Sequence, residues 1–256
     1  MSVAALGMYD FTPLQPFNDA AWAALRAPLP AAPPALERGR APMAIWRDPG
    51  LLLAQSCGYP LTTALRGTVR VVATPCYALP GCDGPYYCSF VVVRRTDSAQ
   101  TLPDLRGRIA AINAWDSQSG MNALRAALAP YARAGRFLSQ VVETGAHLAS
   151  LEAVRSGAAD CAAIDCVTYG LAARHAPQHL DGIRILARTP AMPGLPLITA
   201  AATPTDILVA LRMAVLTLGP QPELGWTHSV ITEFGDYLPI RRLGEEADRA
   251  GYTALA

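Results

Sequence analysis

The chain has 256 residues, 52% hydrophobic and 16% charged, with 22 prolines, 20 glycines and a formal net charge of +1. This composition excludes disorder and collagen, and 21 basic against 20 acidic residues supply no field to hold nucleic acid or an anionic membrane surface. Every basic residue counted is Arg, so Schiff-base, P-loop and kinase-type lysine chemistry is excluded as well.

In chain order, Val3 to Tyr9 reads as a first strand, and Asn18 can cap a helix through Ala20 to Arg26. Residues 27–42, APLPAAPPALERGRAP, break all periodicity and read as an exposed loop with room for a short helical turn. An apolar run from Asp48 to Gln55 ends at the turn-like SCGYP, and Val69 to Thr74 is a β-branched strand leading into PCYALPGCDGP. The next strand, Tyr86 to Arg95, contains SFVVVRR and is apolar enough to be buried on both faces.

From residue 101 short strands alternate with helices. Strands at Arg108 to Asn113, Phe137 to Glu143, Cys161 to Asp165 and Ile183 to Ala187 are separated by helices over Met121 to Ala129, up to Arg155 and up to His175. This rhythm predicts a helix-flanked parallel sheet. Residues 188–196 form a connector, Leu197 to Ala201 a further strand, and Thr205 to Leu218 a helix capped by Thr203 or Thr205. The chain therefore reads as α/β with a discontinuous first lobe, 1–94 plus 195–256, and an inserted second lobe, 95–194, with a ligand cleft between them.

No apolar run approaches the roughly 20 residues a membrane-spanning helix needs, and the N-terminus lacks a leader pattern. As written the chain reads as cytoplasmic; with a leader removed it reads as periplasmic. The six cysteines are too sparse for a disulfide scaffold, and Cys76, Cys82 and Cys88 are badly spaced for zinc, so no metal and no cofactor are expected. A Cys76–Cys82 bridge belongs only to an oxidising compartment.

In a parallel sheet, ligands gather beyond the carboxyl ends of the strands, where helices begin. Three such ends in the second lobe carry polar groups. Asp116-Ser117-Gln118-Ser119-Gly120 offers two hydroxyls at a helix start, although either serine could simply cap its helix. Thr144-Gly145-Ala146-His147 brings an imidazole that the helix dipole keeps neutral, although a lone His is more often structural. Asp165, closing CAAID, could cap the next helix or accept a hydrogen bond from a protonated ligand oxygen or an ammonium. The first lobe adds Gln55-Ser56-Cys57-Gly58-Tyr59 and the Tyr86-Tyr87 pair, whose phenols suit an oxyanion but are equally ordinary core material.

The segments LLLAQSCGYPL, ATPCYALPGCDGPYYCSFVVVR, DLRGRIAAINAWDSQSG, ETGAHLASLEAVRSGAADCAAIDCVTYGL and RTPAMPGLPLIT together resemble the phosphonate- and phosphate-type substrate-binding proteins of ABC importers, over about residues 1–240. The resemblance implies the type II periplasmic binding fold, two mostly parallel α/β lobes joined by two hinge crossings, closing on a small oxyanion without catalysis. By position, the family's Ser-Thr-Ser cradle falls on Ser117, Gln118 and Ser119, its cleft histidine on His147, its first-lobe tyrosines on Tyr59 and Tyr87, and its acidic residue on Asp165. Gln118 departs from the family, an amide standing where a hydroxyl is usual.

Two other readings share this fold. An enzyme acting on a small cofactor precursor would use His147 as general base and Cys57 or Cys166 as nucleophile. A cytoplasmic sensor would be read by a partner protein. For the binding protein, the expected partners are the oxyanion and an ABC transporter permease, with no second subunit.

Overall fold

The computed structural model describes residues 2–29 and 32–255. Residues 30 and 31, inside the proline-rich stretch, lie outside the described residues. The chain divides into two units. Unit 1 comprises the described residues up to Ala78, Cys82–Tyr86 and Pro193–Leu238; unit 2 comprises Leu79–Gly81, Tyr87–Met192 and the described residues from Pro239 onward.

Unit 1 holds a five-stranded sheet in the order Val3–Ala5, Leu51–Gln55, Leu197–Ala200, Val69–Tyr77, Trp226–Val230. The first pair is parallel and the other three are antiparallel. Strands that precede Ala78 thus share one direction, and the two that come after residue 193 run against them. The first strand stops at Ala5 rather than Tyr9, because the chain turns through a 3-10 helix at Gly7–Tyr9 that points Tyr9 into the core. Asn18 is not a cap: the helix runs Gln15–Arg26, with Pro16 in its first turn. The Asn18 amide lies inside the helix and donates to the Tyr9 carbonyl and to Asp10 Oδ1, both at 2.9 Å, which closes that turn. Neither Thr203 nor Thr205 caps the helix Thr205–Thr217; Pro204 occupies the cap position and the Thr203 hydroxyl is paired with Thr199 at 2.7 Å. The proline-rich stretch gives way to a short helix at Pro42–Trp46, which buries Ile45 and Trp46.

Unit 2 holds a second five-stranded sheet, ordered Gln140–Glu143, Ile109–Ile112, Cys161–Asp165, Ser89–Arg94, Ile183–Arg188. The helix-linked strands all run the same way, as their rhythm requires, and Ser89–Arg94 alone runs against its two neighbours. Both sheets are therefore mixed. Ser89–Arg94 is central, and Phe90 to Val93 are essentially inaccessible, consistent with a strand apolar on both faces. Burying each such side chain contributes about 1.5–3 kcal/mol. At the end of the strand the Arg94 guanidinium donates to the Val154 and Ala159 carbonyls at 3.1 and 2.6 Å and to Asp160 Oδ1 at 2.8 Å.

Three segments expected in the first lobe belong to unit 2: Leu79–Gly81, the run from Tyr87 through the Ser89–Arg94 strand, and residues 239–255 with most of the helix Leu238–Arg249. A buried arginine explains the last. Arg125, on the helix Ala123–Leu128, is 6% exposed. It donates to Asp248 Oδ1 at 2.6 Å, to the Tyr252 and Thr253 carbonyls at 3.2 and 3.0 Å, and to the Gly244 carbonyl at 3.1 Å. Tyr252 is fully buried beside it.

Arg125→Met leaves those carbonyls unpaired and is expected to cost about 3 kcal/mol in denaturant unfolding. Asp248→Asn, at a carboxylate that is 50% exposed, should cost less than about 1 kcal/mol.

Candidate functional site

The three co-directional strands Ile109–Ile112, Gln140–Glu143 and Cys161–Asp165 end on the three polar segments, at one end of the unit 2 sheet. After Ile112 the chain loops to Ser117, the N-cap of a single π turn, Gln118–Asn122, that runs into the helix Ala123–Leu128. Ser117 Oγ accepts the Gly120 amide at 3.0 Å, so the capping role is real, and the hydroxyl proton is left for a second partner. Ser119 Oγ is 3.5 Å away. A Cβ at position 120 would collide with the Asn113 side-chain oxygen, so glycine there leaves the Asn113 side chain its place against this turn.

His147 opens the helix His147–Ser156, and its Nε2 lies 2.8 Å from Ser119 Oγ, joining the first loop to the second. His147 Nδ1 is buried and has no hydrogen-bond partner. Burial pushes the imidazole pKa down to about 4, so the ring is neutral at ordinary pH. A proton on Nδ1 would be an orphaned donor, so the favoured tautomer carries it on Nε2 and donates to Ser119 Oγ. The Ser119 hydroxyl then has its own proton to donate outward.

Ser89 ties in the third loop. It faces Asp165 across the sheet register, its hydroxyl donates to the Ser119 carbonyl at 2.9 Å, and its amide donates to Thr189 Oγ1 at 2.9 Å. Asp165 is 2% exposed and caps its helix, Oδ1 accepting the Val167 and Thr168 amides at 2.7 and 3.1 Å. Gln118 is equally buried, and its side-chain oxygen accepts from Asn122 at 2.7 Å, which turns part of the amide toward its own helix. Tyr87 is buried in unit 2 two residues before Ser89, whereas Tyr86 in unit 1 is 49% exposed.

Thus Ser117, Ser119 and His147 form one connected group, with Asp165 linked to it through Ser89. Ser89 and Thr189 were not anticipated, since a single hydroxyl beside an apolar run carries no pattern. Tyr59 is in unit 1, half-buried on the short helix Gly58–Thr62. Unit 1 has its own pocket, lined by Leu6, Tyr9, Asn18, Gln55, Tyr77, Leu197, Leu224 and Trp226. There the Gln55 amide donates to the Tyr77 hydroxyl at 2.9 Å, and the rings of Tyr9 and Tyr77 meet edge to face at 5.4 Å. Gln55 lay in a stretch already singled out. Tyr77 lay in the quoted PCYALPGCDGP without being picked out, and Tyr9 and Trp226 in no candidate stretch; the signal available was that Tyr77 and Trp226 stand at strand ends.

All six cysteines are thiols, and Cys57 and Cys166, the nucleophile candidates, are buried. Among the described residues no group of three or more His, Cys, Asp or Glu could hold a metal ion, and no helix is long and apolar enough to cross a membrane.

A family model described as ABC transporter, phosphonate, periplasmic substrate-binding protein matches residues 53–227. No curated protein matches the chain. Among solved structures, a binding protein component of an ABC phosphonate transporter from Pseudomonas aeruginosa is similar at TM-score 0.77 and 16% identity, covering 98% of this chain and 87% of the other. PhnD1 from Prochlorococcus marinus, in complex with methylphosphonate, is similar at TM-score 0.76 and 15% identity, covering 97% and 98%. A Xanthomonas citri protein bound to a chloride ion is similar at TM-score 0.68 and 15% identity, covering 98% of both chains.

The desolvated imidazole of His147 gives a pH signature. Its folded pKa lies below its unfolded value, so the unfolded chain takes up the extra proton, and stability falls as pH drops from about 6.5 toward 4. The loss should reach up to about 3 kcal/mol. Urea unfolding of wild type and His147→Gln across this range is expected to show a flatter profile in the variant.

Proposed function

The chain belongs to the periplasmic substrate-binding proteins of phosphonate ABC transporters, and from that premise we propose that it takes the oxygens of a small phosphorus oxyanion on Ser117 and Ser119, with His147 binding through Ser119, whose hydroxyl it orients toward the anion. Tyr59, Tyr87, Gln118 and Asp165 complete the proposed set of ligand-binding residues. The observation that supports this reading most is the Ser119–His147 hydrogen bond at 2.8 Å, which primes a hydroxyl donor with a neutral imidazole. Neutral donors stabilise a bound anion without committing a counter-charge, so capture is selective and reversible. The complex of PhnD1 with methylphosphonate makes a small phosphonate the first ligand to test.

The proposed role is binding without a covalent step. Cys57 and Cys166 are shielded, and His147 with a pKa near 4 is a weak base at neutral pH. We assign the chain to the periplasm, as a monomer delivering its ligand to a permease.

Calorimetry with methylphosphonate, phosphate and sulfate tests the assignment. Each lost donor to a charged ligand costs about 1.5–3 kcal/mol, so Ser119→Ala should weaken binding of the preferred phosphorus anion by roughly 10- to 100-fold. Unchanged affinity in Ser119→Ala would place the oxyanion elsewhere, and recovery of a chemically altered ligand would point to catalysis instead. Asp165 beside the bound anion is proposed to favour a monoprotonated form, so phosphate affinity should fall as pH rises through the second phosphate pKa. Affinity rising over that range removes Asp165 from the set.

A further inference from the structure

Cys88 and Cys166 were not absorbed by the site, yet they are opposite each other at its edge. They continue the antiparallel register of Ser89 with Asp165 by one position, and the Cys166 amide donates to the Cys88 carbonyl at 3.0 Å. Residues opposed in this way have Cα atoms about 4.5–5.5 Å apart, within the span of a disulfide. The two thiols are within hydrogen-bond range of one another. A third element converges on them: a Cβ built on Gly81 would lie 3.0 Å from both sulfurs and 2.8 Å from Cys166 Cβ. Gly81 has φ +95°, so the backbone there both needs glycine and leaves the two sulfurs facing each other under it.

We propose that Cys88 and Cys166 are an oxidisable pair that forms a cross-strand disulfide, stapling the start of the Ser89–Arg94 strand to the start of the Cys166–His175 helix. The oxidant is a disulfide, either a low-molecular-weight one or that of a thiol-oxidising protein. One thiolate attacks it and releases the first reduced thiol; the second cysteine then displaces the other from the mixed disulfide. Two protein thiols are oxidised, one disulfide is reduced to two thiols, and the protons leave with these products.

Both cysteines are sealed, at 7% and 0% exposure, and the hydrogen bond with the Cys166 thiol, together with burial, raises the Cys88 pKa. The bond therefore forms while the chain folds, or during opening of this junction, and slowly in the closed native state. The pairing is independent of the ligand reading and stands or falls without it.

Peptide mapping of the full chain by mass spectrometry, after refolding with oxidised glutathione and alkylation of remaining thiols, tests the proposal. The expected result is one linked species joining the Cys88 and Cys166 peptides, two hydrogens lighter than their sum. The oxidised protein should melt about 5–10 °C above the reduced one, because the bridge closes a long loop. Cys88→Ser, checked for native circular dichroism, should lose both the linked species and the shift. The proposal is overturned if both peptides are recovered alkylated, if either cysteine is bridged instead to Cys82 or glutathione, or if the shift persists in Cys88→Ser.

Discussion

The organisation of unit 2 depends on the burial of one strand. Ser89–Arg94 is closed in by Cys161–Asp165 on one side and Ile183–Arg188 on the other, and its apolar residues leave its position no freedom. Its ends are where this rigidity becomes useful. At one end Ser89 holds the Ser119 carbonyl and Thr189; at the other Arg94 gathers the carbonyls around Ala159 and the carboxylate of Asp160. Loops that would otherwise move independently are thus referred to a common rigid element, and hydroxyl and imidazole groups are held in register before any ligand arrives.

The electrostatics of the site follow from the same burial. An imidazole that is half-buried as a residue, but sealed at Nδ1, loses its charge and with it the strongest attraction for an anion. What it retains is direction. By donating to Ser119 Oγ it decides which way that hydroxyl points, and the selectivity of the group comes from geometry rather than field. The near-equality of acidic and basic residues over the whole chain accords with this: nothing in the composition supplies a general pull on anions.

Much of this was legible from the residues. Period and apolar run length identified the Cys161–Asp165 and Ser89–Arg94 strands, and the position of polar loops after strands picked out Ser117, Ser119 and His147. The order of several segments, more than any single one, pointed to the family. Outside the helix-linked strands of unit 2 direction was not legible, since a run such as LITA has the same appearance parallel or antiparallel. Nor was the environment of Asn18: an asparagine before a helical period looks like a cap, and only the preceding Pro16 moves the helix start upstream. The Arg125 contacts span more than a hundred residues and leave no local trace, which is why 239–255 was assigned to the wrong end of the chain's division. The pocket of unit 1 was missed for a related reason, as its aromatic residues are far apart in sequence and meet only once the sheet order is known.

The Arg125 anchorage also sets an order of events during synthesis. Unit 2 is assembled from residues on both sides of the Pro193–Leu238 segment, which belongs to unit 1, and its interior includes Tyr252. Residues 87–192 consequently leave the ribosome without the segment that covers Arg125, whose guanidinium gains its carbonyl partners only once Gly244, Tyr252 and Thr253 have followed.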